Sequence, residues 1–182
     1  MKQPREHRAS GSPKPLIFNA TPILYLCKIG ASSVFMEISE EKYTTPKVIE
    51  EVVDKGKSLG ASDAFIAEQL IERSVIRVRR PRNADFIDQI LRISDLHRAE
   101  AEVLALAKEL NGVAIVDESA ARQVARIYNV RAHGTAYVLL RLVYEGKLSM
   151  ESAREVIDKM ISTGWRLTAE EYAKLMKELK SA

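Results

Sequence analysis

Four acids and one amide along this chain could together hold a divalent metal ion: Asn19, Glu51, Glu100, Asp117 and Glu118. Carboxylates that gather at one point repel each other, and a cation between them relieves that repulsion. Oxygen ligands of this kind favour Mg²⁺ or Mn²⁺ over zinc. The single cysteine and three histidines show no zinc-ligand spacing. If the fold brings these residues together, we expect a site for Mg²⁺ or Mn²⁺.

Glu100 is the acid whose position departs most clearly from an ordinary surface helix. Residues 98–110 have helical periodicity, with an apolar stripe formed by Ala99, Val103, Leu106, Ala107 and Leu110. At about 100° per residue, Glu100 falls at the edge of this stripe. A carboxylate there is costly to desolvate unless a cation, a hydrogen-bond donor or a metal meets it. We therefore predict that Glu100 faces a functional site.

The other acids also have structural interpretations that the sequence leaves open. Glu51 lies closer to the apolar stripe of its helix than Glu50 does, yet a position on the helix surface fits it equally well. Asp117 could cap the following helix, a role that aspartate fills well. Glu118 could simply complement the dipole of that helix.

Short apolar runs alternate with helical patterns before Thr135, and this order predicts the elements that carry the site. The predicted strands are Leu16–Phe18, Lys42–Thr44, Val75–Arg79 and Val113–Val116. The helix after the first strand is expected to have Thr21 as its N-cap and Pro22 as its first residue. Such βα alternation predicts a mainly parallel sheet with helices on both faces. Ligands collect at the carboxyl ends of such strands, where Asn19 and Asp117 lie.

The end of the chain is expected to be helical throughout. Helices are predicted over residues 135–145, from Ser149 to the glycine at 164, and from Thr168, which forms a capping-box pattern with Glu171. We divide the chain into a basic tail over residues 1–14, a sheet domain over 15–147 and a helical extension over 148–182. The extension is expected to pack on that domain or on a partner.

Composition limits the classes of function that fit. Residues 1–14 hold four basic residues and one acid, which accounts for the whole net charge of +3. The basic balance is therefore no argument that the folded body binds nucleic acid, and the tail is expected to be disordered. A single cysteine fits a reducing cytosol, and the apolar run over residues 16–26 is too short to span a membrane. We expect a cytoplasmic protein without a membrane partner.

Taken in order, the motifs of the chain resemble those of PIN-domain proteins. They are most similar to the archaeal and bacterial subfamily with a C-terminal helical extension, which is related to VapC-type toxin ribonucleases. The segments that carry the resemblance are Ile17–Leu24, Thr45-Pro46 with Glu51-Val52, Ala99–Ala107, Val116–Arg122, Gly134-Thr135 and Gly164–Leu167. They occur in the family's order, and the match as a whole spans about residues 16–179.

The resemblance implies a PIN-like three-layer α/β/α sandwich, with a central, mainly parallel sheet and a C-terminal helical extension. It also implies an Mg²⁺- or Mn²⁺-dependent endoribonuclease site. Asn19 takes the position of the first acid of that site, Glu51 that of the second and Glu100 that of the third. The fourth acid is Asp117 or Glu118. The expected metal ligands are Asn19, Glu100 and Asp117.

The resemblance further implies supporting residues and partners. Thr21 is expected to hydrogen-bond the first ligand or a metal-bound water, and Thr135 to support the site, although both could serve only as helix caps. RNA is the implied substrate, with Arg122 and Arg126 on one helix face as candidate contacts. The implied biological role is the toxin half of a toxin–antitoxin pair. A cognate antitoxin protein and a second copy of this chain, in a homodimer, are the other expected partners.

Asn19 departs from the family pattern at a central position. An amide oxygen can bind Mg²⁺, but it carries no charge and cannot act as a base. Losing that charge should weaken metal binding by about one to a few kcal/mol in a semi-exposed site. Either the remaining acids suffice for ribonuclease activity, or the chain is a catalytically weak or inactive PIN-fold module that binds RNA or a protein.

Overall fold

The computed structural model describes residues 13–181, in which five short strands form one parallel sheet. The strands are β1 (Leu16–Phe18), β2 (Lys42–Thr44), β3 (Arg77–Val78), β4 (Val113–Ile115) and β5 (Arg131–His133). Their order across the sheet is β3-β2-β1-β4-β5, so that β1 is central and pairs with β2 and β4. All four strand pairings are parallel, which brings the carboxyl ends of all five strands to one edge.

Eleven α-helices and one π-helical segment connect or follow the strands within the described residues. In the first half they are α1 (Ala20–Lys28), α2 (Val34–Glu37), α3 (Pro46–Ile49), the π-helical segment (Glu50–Asp54), α4 (Lys55–Ser58) and α5 (Ser62–Glu72). In the second half they are α6 (Ala84–Ile93), α7 (Arg98–Glu109), α8 (Ser119–Ile127), α9 (Thr135–Tyr144), α10 (Met150–Ser162) and α11 (Ala169–Leu179). None of those described is long and apolar enough to cross a membrane.

The core lies between the sheet and the helices that cover both of its faces. All three residues of β1 are at most 1% exposed, which is typical of a parallel strand that is covered on both faces. Helix α7 packs on β1 and β4, and α1 packs against α5 and α10. Phe18 of β1 meets Phe35 edge to face, with ring centroids 5.2 Å apart. The predicted three-layer α/β/α architecture is confirmed.

The last two helices pack against the body of the protein. Helix α10 contacts α1 and α9, while α11 contacts α9 and α10. The predicted capping box at the start of α11 is present, because Glu171 Oε2 accepts from the Thr168 backbone N–H at 2.9 Å. The boundary predicted at 147/148 lies in the turn between α9 and α10, and the division of the chain there stays a prediction. Most of the predicted tail, residues 1–12, lies outside the described residues.

The sequence prediction was wrong at several element ends. Asn19, in an extended conformation, is the N-cap of α1, so Thr21 lies inside the first turn and is not the cap. The strand predicted over 75–79 is confined to Arg77–Val78. The backbone N–H groups of Val75 and Ile76 instead donate to the Leu70 carbonyl in the last turn of α5. Strand β5 was missed, because its three residues carry little apolar pattern.

Candidate functional site

The carboxyl ends of β1 and β4 place an amide beside an acid. Asn19 directly follows β1, and its backbone N–H donates to the Ile115 carbonyl of β4 at 3.0 Å. Its side-chain Nδ2 reaches Glu118 Oε2 at 3.4 Å, and Thr21 Oγ1 donates to Glu118 Oε1 at 2.7 Å. Thr21 therefore holds the carboxylate of Glu118 beside Asn19. The bond to the first ligand or to a metal-bound water that was expected of Thr21 stays a prediction.

Glu100 enters the same region from the first turn of α7. It is 7% exposed, and its Oε2 accepts from the backbone N–H of His97 at 2.8 Å. Burial raises the pKa of this carboxyl, the His97 N–H lowers it, and the neighbouring charges of Glu118 and Glu51 raise it further. The position inferred from the helical stripe is thus a buried one, and two other acids lie close enough to affect it electrostatically.

Glu51 is positioned by a local change of helix type. Helix α3 does not run on as a regular helix but widens into the π-helical segment, in which Glu51 is the second residue. The side chain is partly buried, and its charge acts on Glu100 and on Lys47. Single π-helical turns occur frequently at functional sites, and the periodicity of the sequence gave no sign of this one.

Asp117 is engaged elsewhere. Its Oδ1 accepts from the Thr135 backbone N–H, and its Oδ2 accepts from the Thr135 hydroxyl, both at 2.7 Å. Burial raises the pKa of the Asp117 carboxyl, while both bonds from Thr135 lower it. A Cβ at Gly134 would come within 2.9 Å of Asp117 Oδ1, so any larger residue there would have to displace the Asp117 carboxylate.

One interpretation of the sequence made Asp117 the cap of the following helix, and the structure shows that it is not. The N-cap of α8 is Glu118, and Asp117 instead holds the start of α9 against the end of β4. Of the two alternatives for the fourth acid, Glu118 is the one that contacts Asn19. The metal role predicted for Asp117 stays a prediction.

Asn19 leaves one oxygen available for a ligand. Its Oδ1 is buried and has no hydrogen-bond partner among residues 13–181, which is costly for an amide oxygen. Over the same residues, no three His, Cys, Asp or Glu side chains converge as a metal site would require. A set made of Asn19 Oδ1 and the carboxylates of Glu100 and Glu118 nevertheless fits a hard divalent cation by its chemistry. It carries one charge less than a site of three acids.

The two arginines proposed as RNA contacts differ in their surroundings. Arg122 donates from Nη1 to the Val116 carbonyl at 3.0 Å and also to the Asp117 carbonyl, so part of its guanidinium stabilises the end of β4. Arg126, one turn further along α8, is exposed. Contact with RNA stays a prediction for both.

Several residues near the site received no role from the sequence. Trp165 and Arg166 line the cavity that also contains Thr21 and Glu118. His133 and Tyr137 line the neighbouring cavity, where their rings stack. Trp165 and Arg166 stand in one of the motifs that resemble the family, but their spacing from the acids gave no reason to join them to the site.

Comparison with known proteins supports the assignment of the fold. The sequence profile described as PIN domain matches residues 15–181. A protein named endoribonuclease Nob1 from Methanocaldococcus jannaschii is 27% identical over an alignment of 133 residues that covers 70% of this chain and 60% of that protein. Another endoribonuclease Nob1, from Pyrococcus abyssi, is 34% identical over an alignment of 109 residues that covers 55% of this chain and 63% of that protein. The matches thus span less than two thirds of the length of these relatives.

The profile match and the fold agree. The profile covers nearly all of the residues that the structure describes, including all five strands and all of the candidate site. The parallel sheet, its helical layers and the polar side chains that follow β1 and β4 at one edge fit the architecture that the motifs implied. This chain belongs to the PIN domain family.

Proposed function

We propose that this protein is an endoribonuclease that hydrolyses RNA phosphodiester bonds with the help of Mg²⁺ or Mn²⁺. The observation that carries the proposal is Oδ1 of Asn19, which lies beside Glu118, is buried and has no hydrogen-bond partner among the described residues. Burial and the charge of Glu118 raise the pKa of Glu100, and a divalent cation would stabilise an acceptor of this kind beside neighbouring acids. Two relatives that cover much of the chain bear the name endoribonuclease, which supports the same chemistry.

The residues of the site have distinct tasks in this proposal. Asn19 Oδ1 and the carboxylates of Glu100 and Glu118 hold the cation, which when bound activates water and stabilises charge on the phosphate. Thr21 keeps Glu118 in place through its hydroxyl. His97 engages Oε2 of Glu100, so Oε1 is the oxygen left to bind a ligand or accept a proton.

A second function is favoured by a specific observation. Within residues 13–181 no three acidic, histidine or cysteine side chains converge on one point, and Asn19 brings no charge. A PIN-fold module that binds RNA or a protein without cutting it would need no metal and could have this arrangement. The two functions differ in what Mn²⁺ does to bound RNA.

A ribonuclease assay separates the two. Wild type, Glu100→Gln and Glu118→Gln are incubated with a single-stranded oligoribonucleotide in Mn²⁺ or in EDTA. We expect cleavage by the wild type in Mn²⁺ only, and a loss of about 100-fold or more in both variants. Glu155→Gln, on the exposed side of α10, is the matched control and should cleave normally. If the wild type and its variants all bind the RNA but none cleaves it at saturating Mn²⁺, the result would support the non-cleaving binding module instead.

The biological role extends this proposal beyond the site. We propose a toxin of a toxin–antitoxin pair, acting as a homodimer in the cytoplasm, and the VapC-like motifs are its support. The named relatives are Nob1 endoribonucleases, so the toxin role rests on the motifs alone. If the protein is a toxin, its induced expression should arrest growth, and co-expression of a small neighbouring gene should relieve the arrest. If it is a homodimer, light scattering should give twice the mass of one chain.

A further inference from the structure

Three cavities adjoin one another beside the acids, on the side of the sheet edge that faces the C-terminal helices. The first contains Thr21 and Glu118 and has a volume of about 530 Å³. The other two, of about 640 and 340 Å³, continue past Arg122 towards Tyr137. We call this continuous feature the extension groove, lined by Glu118, Arg122, His133, Tyr137, Trp165 and Arg166. Each cavity lies in the range of small-ligand sites, about 300–1,000 Å³.

An aromatic platform lies at the far end of the extension groove. The rings of His133 and Tyr137 stack with centroids 3.9 Å apart and an angle of 13° between their planes. His133 is exposed, while Tyr137 is partly buried beneath it. A flat ring held parallel by a second ring offers a rigid surface on which a planar heterocycle can stack.

One positively charged side chain lines the whole length of the extension groove. Arg166 lines all three cavities and is exposed. None of the ion pairs within the described part of the chain involves Arg166. Its planar guanidinium suits a phosphate. It lines both the cavity that contains Glu118 and the cavity that contains the aromatic platform.

The rest of the lining is close to neutral, which favours a base over a second phosphate. In the cavity that contains the aromatic platform, the cationic side chains of Arg122 and Lys174 face three acids, Asp117, Glu171 and Glu178, so that without Arg166 the charged lining sums to −1. Asp117 is already bound by Thr135, and Glu171 by Thr168. A nucleobase is uncharged and planar, so it suits this lining and the ring of His133.

We propose that the extension groove binds one unpaired nucleotide of single-stranded RNA, with its base stacked on His133 and its phosphate on Arg166. The nucleotide is one that flanks the position held at Glu118. A base within a duplex has both faces covered, so only unpaired RNA can use the platform. The inference rests on the proposed function for its ligand, but binding in the groove needs neither metal nor cleavage.

Trp165 allows a direct test, because it is the single tryptophan of the chain and lines all three cavities. Single-stranded oligoribonucleotide is titrated into protein in EDTA, and tryptophan emission is followed together with anisotropy of a label on the RNA. We expect the emission to change with the same Kd as the anisotropy. His133→Ala should weaken binding by about 5- to 50-fold. Arg166→Ala should also weaken it and reduce the salt slope by about 0.7.

Matched controls separate a local effect from a general one. Tyr144→Ala removes an exposed aromatic ring from α9, and Arg154→Ala removes an exposed arginine from α10; both should bind as the wild type does. A duplex of the same sequence should bind at least tenfold more weakly. RNA binding that leaves tryptophan emission unchanged, or His133→Ala and Arg166→Ala with wild-type Kd, would overturn the inference.

Failure of this inference can be told apart from failure of the proposed function. If His133→Ala and Arg166→Ala bind RNA with the wild-type Kd and cleave it in Mn²⁺ at the wild-type rate, the groove proposal is wrong and the ribonuclease proposal stands. If tryptophan emission reports RNA binding that depends on His133 and Arg166 but the wild type does not cleave the RNA, the groove proposal stands and the ribonuclease proposal is wrong.

Discussion

Asn19 and Glu118 stand 99 residues apart in the chain and side by side at the sheet edge, with Nδ2 of one 3.4 Å from Oε2 of the other. The amide uses its donor on the acid, while its own Oδ1 stays buried without a partner within residues 13–181. An aspartate at position 19 could not donate to Glu118. In the metal-free protein the amide therefore avoids the repulsion that an aspartate at position 19 would have with Glu118. The site in turn has one negative charge fewer with which to attract a cation.

The first prediction concerns that exchange. Asn19→Asp adds a carboxylate beside Glu118, so the metal-free protein should lose about 1–3 kcal/mol of unfolding free energy. Mn²⁺ affinity should rise by about tenfold or more, because three acids then face the ion. Calorimetric titration with Mn²⁺ and denaturant unfolding in EDTA measure the two effects. Gln123→Glu, the same change at an exposed position of α8, should leave both unaltered; unchanged Mn²⁺ affinity in Asn19→Asp would remove Asn19 from the site.

The second prediction concerns pH. Burial and the acids around it raise the folded-state pKa of Glu100 above the ordinary value of 4.5. The folded state then holds this proton more tightly than the unfolded state, so stability is lost as pH rises from about 4.5 through the raised pKa. Glu100→Gln cannot ionise and can still accept from His97. Its stability relative to the wild type should therefore increase over that pH window.

Denaturant unfolding in EDTA between pH 4 and pH 8 measures this difference, with Glu155→Gln as the control that should parallel the wild type. Adding Mn²⁺ at neutral pH should stabilise the wild type and not Glu100→Gln. A constant difference between the two proteins at every pH would contradict the assignment of a buried, perturbed carboxyl to Glu100.

The third prediction separates Asp117 from Glu118. Asp117→Ala leaves the N–H and hydroxyl of Thr135 without their acceptor, so unfolding free energy should fall by about 2–4 kcal/mol. Mn²⁺ affinity should change by less than about threefold in a variant that still folds. Glu118→Ala should do the reverse, with a small loss of stability and a large loss of Mn²⁺ affinity. If Asp117→Ala abolishes Mn²⁺ binding in a folded protein, Asp117 is a ligand as the sequence motif implied.

The fourth prediction tests Thr21 as a positioning residue. Thr21→Val removes the hydroxyl that donates to Glu118 Oε1, so RNA cleavage in Mn²⁺ should slow by about tenfold. Thr21→Ser keeps a hydroxyl and should restore most of the rate, which a purely structural role for the methyl group would not allow. Equal rates in both variants would show that the hydrogen bond does not matter for the reaction.

The sequence was informative where a pattern repeats and uninformative where contacts decide. Helical periodicity placed Glu100 correctly at a buried boundary, and the order of strands placed Asn19 at the sheet edge. The choice between Asp117 and Glu118 could not be made, because adjacent residues after a strand point in opposite directions and only their contacts with Thr135 and Asn19 show which acid faces which neighbour. The π-helical turn at Glu51 and the short strand at Arg131–His133 likewise depend on packing that no local pattern records.

The extension groove was out of reach of the sequence for the same reason. His133, Tyr137 and Arg166 come from β5, α9 and the loop before α11, and each alone is an ordinary surface residue. Their common wall exists because α11 packs on α9, a contact between helices that have no shared motif.

Anomalous scattering from crystals grown in Mn²⁺ would locate a cation at the Asn19 site directly. We predict a single strong peak about 2 Å from Asn19 Oδ1, with carboxylate oxygens of Glu100 and Glu118 completing the protein ligands. A peak bound by Asp117 with Asn19 Oδ1 left unligated, or no peak at this edge of the sheet at saturating Mn²⁺, would contradict it.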